Sequence, residues 1–133
     1  MANLNDPEVR ALLEPANYAV VSTRSDDGSI VSAVVWESLE GGELAVNSSR
    51  GRKWPTNLDR DPHVTLLVYP PDNPYEYVEI RGTATGSRED ADDHIDRLAK
   101  KYINQDKYPF RQPGEERLKY TIKPDVVRYQ KQG

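Results

Sequence analysis

Three cations, Arg50, Arg52 and Lys53, fall within four positions of this chain, directly after the hydroxyl pair Ser48-Ser49. Asn47 and the end of an apolar run precede them, and Trp54-Pro55-Thr56-Asn57-Leu58-Asp59-Arg60-Asp61-Pro62 follows. The chain as a whole is acidic, with 22 Asp and Glu against 18 Lys and Arg and a formal net charge of -4. A concentrated cationic turn on an acidic chain suits an anionic ligand. Side-chain hydroxyls, backbone N–H groups at a helix start and Arg or Lys side chains are the groups that hold a phosphate. The simpler reading is a solvated charged turn balanced by Asp59 and Asp61, since surface charge runs usually mean no more than that.

Other chemistry is scarce. The two histidines, His63 and His94, have no companions at metal-ligand spacing, so no metal site is expected. His63 follows Asp-Pro at a strand start, and His94 reads as part of a charged helix face. There is no Cys, hence no disulfide and no thiolate nucleophile. No glycine-rich phosphate loop or dinucleotide fingerprint occurs, and Gly82 and Gly86 read as bulge or edge glycines within a strand. Ser48 and Ser49 lack a base in a nucleophile motif. The acidic cluster Glu89, Asp90, Asp92 and Asp93 has the wrong spacing for a calcium loop and reads as a solvated helix start. No residue is therefore assigned a catalytic role. If the chain is an enzyme, the reactive group belongs to a bound cofactor, and the protein supplies position and electrostatics. Hydride transfer fits, because it needs no side-chain nucleophile.

The elements that must carry these residues follow from pattern. Asp6-Pro7 opens a short helix over 6–13 with Val9, Leu12 and Leu13 as its apolar stripe. Tyr18 to Thr23 reads as a strand, Asp27-Gly28 as a hairpin turn, and Ile30 to Ser38 as a second strand. That second run is apolar on both faces, which predicts a central, doubly covered strand. Glu43 to Asn47 completes an expected meander. A helical segment over 54–60 ends at Asp61-Pro62. His63 to Tyr69 and Tyr75 to Thr85 are strands, the latter with Tyr77 and Glu79 on one face and Val78 and Ile80 on the other. Residues 88–103 form the clearest helix, capped by Ser87, with Ala91, Ile95, Leu98, Ala99 and Tyr102 as its buried stripe. A polar loop over 104–116 carries Tyr108 and Phe110. Leu118 to Ile122 and Val126 to Tyr129 read as two strands flanking Lys123-Pro124-Asp125. Six or seven strands joined mostly by tight turns predict a mainly β, antiparallel barrel with a few helices, in one domain over 1–133. A small barrel has little room inside, so a ligand is expected in a groove on its outside, most simply between two subunits.

Bulk properties narrow the classes. Net acidity argues against non-specific nucleic-acid binding. No apolar run reaches the roughly 18 residues needed for a membrane span. The opening Met1-Ala2-Asn3-Leu4-Asn5-Asp6 lacks the basic and apolar regions of a signal peptide, and a cytoplasmic location is expected. Mean hydropathy is -0.82, yet there are 8 Tyr against 1 Phe, and amphipathic rings of this kind suit interfaces and ligand grooves.

Taken together, several segments resemble the flavin and deazaflavin oxidoreductases related to pyridoxamine-phosphate oxidase, closest to their coenzyme F420-dependent branch. The segments are Tyr18 to Thr23 with Asp27-Gly28, Val31 to Trp36, Ser48 to Lys53 running into Asn57 to Pro62, Tyr77 to Ala84, and Ile122 to Tyr129. The resemblance implies a split β-barrel, a homodimer and two equivalent cofactor sites at the subunit interface. It implies that the strand containing Val34, Val35 and Trp36 lines the cofactor ring. It implies that Asn47, Ser48, Arg50 and Lys53 hold the phosphate and tail, with Asn57 a further candidate and Arg52 either joining them or facing solvent. Tyr77 and Arg81 would be contributed by the partner subunit, and Tyr108 and Phe110 would cover the substrate side. The implied activity is hydride transfer between C5 of F420 and an electron-poor small-molecule acceptor. Two alternatives stand beside it. One is an FMN-binding oxidoreductase or oxidase of the same fold. The other is a non-catalytic protein that holds a cofactor or pigment. FMN has no oligoglutamate tail and needs fewer distal cations, so Arg50, Arg52 and Lys53 favour F420.

Overall fold

The computed structural model describes residues 2–132; Met1, with which the N-terminal segment opens, and Gly133 lie outside it. The elements run α1 (Pro7–Leu13), β1 (Ala19–Arg24), β2 (Ile30–Val35), β3 (Glu37–Glu40), β4 (Glu43–Ser49), α2 (Lys53–Arg60), β5 (His63–Val68), β6 (Glu76–Ser87), α3 (Ala91–Ile103) and β7 (Arg117–Lys131). The seven strands form one sheet in the order β2-β1-β5-β6-β7-β4-β3. Every neighbouring pair is antiparallel. β2 and β3 stand at opposite ends of this order, yet only Trp36 separates them in the chain. The sheet must therefore curl until its two ends approach at Trp36, which makes it a split barrel.

This corrects the expectation of one central strand over Ile30 to Ser38 and of a simple meander. The run breaks at Trp36 into two edge strands. β2 is covered on one face only: Val35 is buried and Val31 and Ala33 pack against the core, while Ile30 is 62% and Val34 68% exposed. Apolar composition alone does not tell a doubly buried strand from one whose outer face awaits a partner.

Period-two burial elsewhere fills the barrel. Val21 of β1, Leu66 and Val68 of β5, Val78 and Ile80 of β6 and Leu44 and Val46 of β4 are all fully buried in one core cluster. Each such side chain contributes about 1.5–3 kcal/mol on burial. Trp54 and Leu58 of α2 and Val9, Leu12 and Leu13 of α1 join that cluster. The alternation predicted for β6 holds, with Val78 and Ile80 inward and Tyr77 and Glu79 partly exposed. The last two expected strands are one, β7, because Pro124 is accommodated at a bulge. The register jumps from Arg81 opposite Val126 to Gly82 opposite Pro124, leaving Asp125 unpaired. Gly82 is required there: a Cβ would stand 2.1 Å from the Lys123 carbonyl oxygen.

α3 packs across β4 and β7 on the face away from the main core. Ala91, Ile95, Leu98 and Ala99 are buried as the stripe predicts, and so is His94, which is 0% exposed rather than part of the charged face. The helix opens at Ala91, after Asp90 in the left-handed region (φ 63°). Ser87 does not cap it; its Oγ accepts the Glu89 N–H at 3.0 Å within the preceding turn. No helix is long and apolar enough to cross a membrane among the described residues.

Candidate functional site

The candidate site is the opening of the barrel. Where β2 and β4 part, they leave a cleft of about 320 Å³. β2 supplies one wall through Val34 and Val35 with Trp36 at the break. The end of β4 supplies Asn47 and Ser48, and the start of α2 supplies Arg52, Lys53 and Trp54. Ile95 and Leu98 of α3, Tyr108 and Phe110 of the 104–116 loop and Arg117 of β7 close the other end.

The cleft is polarised along its length. At the mouth, Arg52 and Lys53 are exposed cations. No side chain caps α2, and the N–H groups of its first turn have no intrahelical partners. Next comes Ser48, which is 1% exposed and whose Oγ has no hydrogen-bond partner within the described residues. A buried hydroxyl left unpaired costs about 1–3 kcal/mol, so such a group beside a cleft is suited to a ligand's polar atom. The far end is aromatic. Trp36 stacks on Tyr102 (centroids 5.3 Å, planes 6° apart) and meets Tyr108 edge-on at 6.0 Å. Tyr108 in turn meets Phe110 edge-on at 5.7 Å.

A polar chain beneath the cleft fixes its floor. α3 covers the outer face of β4, so Asn47 is buried and must be fully paired. Its Nδ2 donates to the Ala91 carbonyl at 2.9 Å and to His94 Nδ1 at 3.1 Å. Its Oδ1 accepts from Arg117 Nε at 3.0 Å. With Nδ1 an acceptor, the neutral His94 ring carries its proton on Nε2 and donates to Ser38 Oγ at 2.8 Å. Burial, aided by the Lys119 charge, pushes the His94 pKa down to about 4, so the ring is neutral at ordinary pH. Arg117 Nη1 donates to Glu115 Oε1 at 3.0 Å, and its guanidinium lies over the Tyr108 ring at 5.0 Å.

A second buried cluster supports Trp36 from behind. Glu37 is 0% exposed, and Lys101 Nζ approaches its Oε2 at 3.4 Å while donating to the Glu37 and Leu13 carbonyls. Burial raises the Glu37 pKa to about 8 against the opposing pull of the Lys101 charge. The Tyr102 hydroxyl donates to the Asn17 carbonyl at 2.6 Å and accepts the Glu37 N–H at 3.1 Å. Its ring is thereby fixed against Trp36.

Of the residues singled out from the sequence, Val34, Val35, Trp36, Asn47, Ser48, Arg52 and Lys53 line this cleft, with Tyr108 and Phe110. Arg50 does not line it; its guanidinium pairs with Glu116. Asn57 is a buried tie, donating to Thr23 Oγ1 at 3.2 Å and Ser25 Oγ at 3.3 Å. Tyr77 and Arg81 lie on β6, outside the lining, and Arg81 pairs with Glu79. Arg117, Trp54, Ile95 and Leu98 went unnoticed as lining residues. The signal for Arg117 was faint: a cation opening an apolar strand right after the aromatic loop.

The fold is widely shared. Over 90% of this chain and 94% of the other, the structure matches an F420 reductase with a TM-score of 0.77 at 24% identity. The conserved hypothetical protein Rv2991 from Mycobacterium tuberculosis matches with a TM-score of 0.77 at 19% identity, over 96% of this chain and 84% of the other. General Stress Protein 26 from Bacillus anthracis matches with a TM-score of 0.67 at 20% identity, over 92% and 91%. At these identities the likeness is one of fold. Among curated protein sequences none matches the chain. The family profile of pyridoxamine 5'-phosphate oxidase matches residues 6–131, from the α1 start to the end of β7. A split barrel opening on a cation-mouthed cleft, and a profile that spans nearly all of it, make this chain a member of the pyridoxamine 5'-phosphate oxidase family.

Proposed function

We propose that the chain is a coenzyme F420-dependent oxidoreductase acting on an electron-poor organic acceptor, with its cofactor held in the barrel split at a homodimer interface. The observation that carries this reading is the polarity of the cleft: cations at the mouth, an unpaired buried hydroxyl next, aromatic rings at the far end. An elongated ligand with an anionic tail and a flat ring against Trp36 fits that order, with Tyr108 and Phe110 left to face the acceptor. Lys53 and Arg52 would hold the tail, and Ser48 Oγ would meet the phosphate or the first polar atoms of the ring. The β2 backbone at Val34 and Val35 and the Trp36 ring would line the flat portion. Arg50 and Asn57 would act from behind, one by fixing the turn to Glu116 and the other by fixing α2 to β1. When bound, the deazaflavin supplies a hydride donor at C5. The protein would orient it and hold Arg117, itself fixed by Asn47 and Glu115, as a donor beside it.

The exposed apolar side chains of β2, Ile30 (62%) and Val34 (68%), together with Tyr18 (54%) just before β1, support association with a second copy. Tyr77 and Arg81 would then reach the cofactor from the partner subunit. FMN is the alternative ligand, and its phosphate suits the same Ser48 and Lys53. Two exposed cations at the mouth favour the longer, more anionic tail. Turnover tests the proposal: reduced F420 should be reoxidised in the presence of quinone or activated-alkene acceptors at a rate proportional to protein concentration. Binding without turnover across such a panel would make this a cofactor-holding protein.

A further inference from the structure

The aromatic end of the cleft stands on a loop that should not hold it still. Residues 104–116 have no helix or strand of their own, and loops of that length are ordinarily mobile unless tied down. Side chains of α3 tie this one: Lys100 Nζ stands 3.5 Å from Asp106 Oδ1 near its start, and Asp96 holds its middle. Asp96 is only 13% exposed; its Oδ1 accepts from the Tyr108 backbone N–H at 2.8 Å and from Arg111 Nη2 at 3.0 Å. Its Oδ2 faces Lys107 Nζ at 3.6 Å, and Arg111 Nη1 reaches Asp92 Oδ1 at 3.0 Å. Three loop residues thus converge on one carboxylate, on the same turn of α3 as Ile95 and Leu98 of the cleft lining. Tyr108 is then held at four points: its backbone by Asp96, its ring face by Arg117, and its ring by perpendicular contacts with Trp36 and Phe110. Phe110 stays 59% exposed beside it, an apolar ring kept in water.

We propose that Asp96 is a positioning residue of this site: it clamps the 104–116 loop to α3, so that Tyr108 and Phe110 stand as a fixed aromatic wall that selects flat-ring acceptors. The inference rests on the cleft being the ligand site proposed above. Aromatic rings set at 79° and 89° to one another offer stacking and edge-to-face contacts that a flat ring can use and a puckered saturated ring cannot. Because the clamp touches the wall and not Arg52 or Lys53, its loss should change the acceptor end and spare the tail end.

Calorimetric titration with 2-naphthol, a flat neutral bicycle, and with its saturated counterpart decahydro-2-naphthol tests both halves of the proposal. Wild type should bind 2-naphthol at least about fivefold more tightly; equal affinities would overturn ring selection. Asp96→Ala should weaken 2-naphthol about tenfold and speed hydrogen exchange at the Tyr108 amide, while Asp96→Asn, which keeps an oxygen for that N–H, should recover most of both. Unchanged exchange and unchanged 2-naphthol affinity in Asp96→Ala would overturn the clamp. Arg111→Ala removes one strand of the clamp from the surface and should give a loss of about threefold even if Asp96→Ala fails to fold; no loss would count against the proposal. F420 affinity should stay within about twofold in Asp96→Ala, and an equal fall in both ligands would refute selective action at the acceptor end. If wild type binds 2-naphthol in this way but not F420, the cofactor assignment falls and the clamp stands.

Discussion

Removing the Ser48 hydroxyl should move stability and binding in opposite directions. In the free protein Ser48 Oγ is buried without a partner among the described residues, a condition that costs about 1–3 kcal/mol. Ser48→Ala deletes that atom and leaves a void smaller than a methyl group. The free protein should therefore gain about 1 kcal/mol, which for a chain of this size raises Tm by about 4 °C. The same substitution removes the hydroxyl proposed to meet the cofactor. A lost hydrogen bond to an ionised group weakens binding by about 1.5–3 kcal/mol, or roughly 10- to 150-fold in Kd. Thermal melts by circular dichroism and a fluorescence titration with oxidised F420 read the two effects. A Tm that falls, together with an unchanged Kd, would show that Ser48 is satisfied in the free protein and does not meet the ligand. The reasoning about the cleft's middle section would then be refuted.

Three further outcomes follow from other parts of the molecule. Lys53→Ala should weaken F420 by about 1.5 kcal/mol, the low end for a charge-assisted contact because the side chain is exposed, and added salt should shrink the difference; equal salt dependence in variant and wild type would remove Lys53 from the tail site. Glu37 has a folded pKa raised to about 8 from 4.5, so it binds more protons folded than unfolded between those values, and stability should fall as pH rises through that window, by at most about 1.4 kcal/mol per pH unit. Glu37→Gln should flatten that part of the Tm–pH curve, and an unchanged slope would show that Glu37 is ionised against Lys101 throughout. Gly86→Ala places a Cβ 2.6 Å from the Tyr120 ring, which packs on Trp54 at 5.6 Å; it should cost about 1–3 kcal/mol in chemical denaturation and shift the tryptophan emission.

Much of the scaffold could be read from local pattern. The alternation at Tyr77 to Ile80 and the stripe from Ala91 to Ala99 are signals that depend on neighbours in the chain, and both are present in the structure. The break at Trp36 was not legible, because the apolar, β-branched residues before it look the same whether the strand runs on or ends. Its consequence, β2 and β3 at the two ends of the sheet, depends on long-range pairing that no short window contains. Pro124 looked like a strand end and is instead tolerated at a bulge opposite Gly82. His94 and Arg117 are buried only because α3 lies across β4 and β7, so helical and strand periodicity taken separately could not bring them together. The cationic turn was visible as a cluster, but the division of labour within it was not. Arg50 turns to Glu116 while Arg52 and Lys53 line the cleft, a distinction set by where α2 begins.

The central claim is that this cleft reads a flat ring and an anionic tail together. The direct measurement is a parallel fluorescence titration of the protein with F420, with FMN and with the tail-less deazaflavin chromophore that lacks phosphate and glutamates. Binding should be tightest for F420, weaker for FMN and weakest for the tail-less ring, with the F420 affinity falling as salt is raised. Equal affinity for F420 and the tail-less ring, or no binding of any of the three, would contradict it and return Arg52 and Lys53 to an ordinary solvated turn.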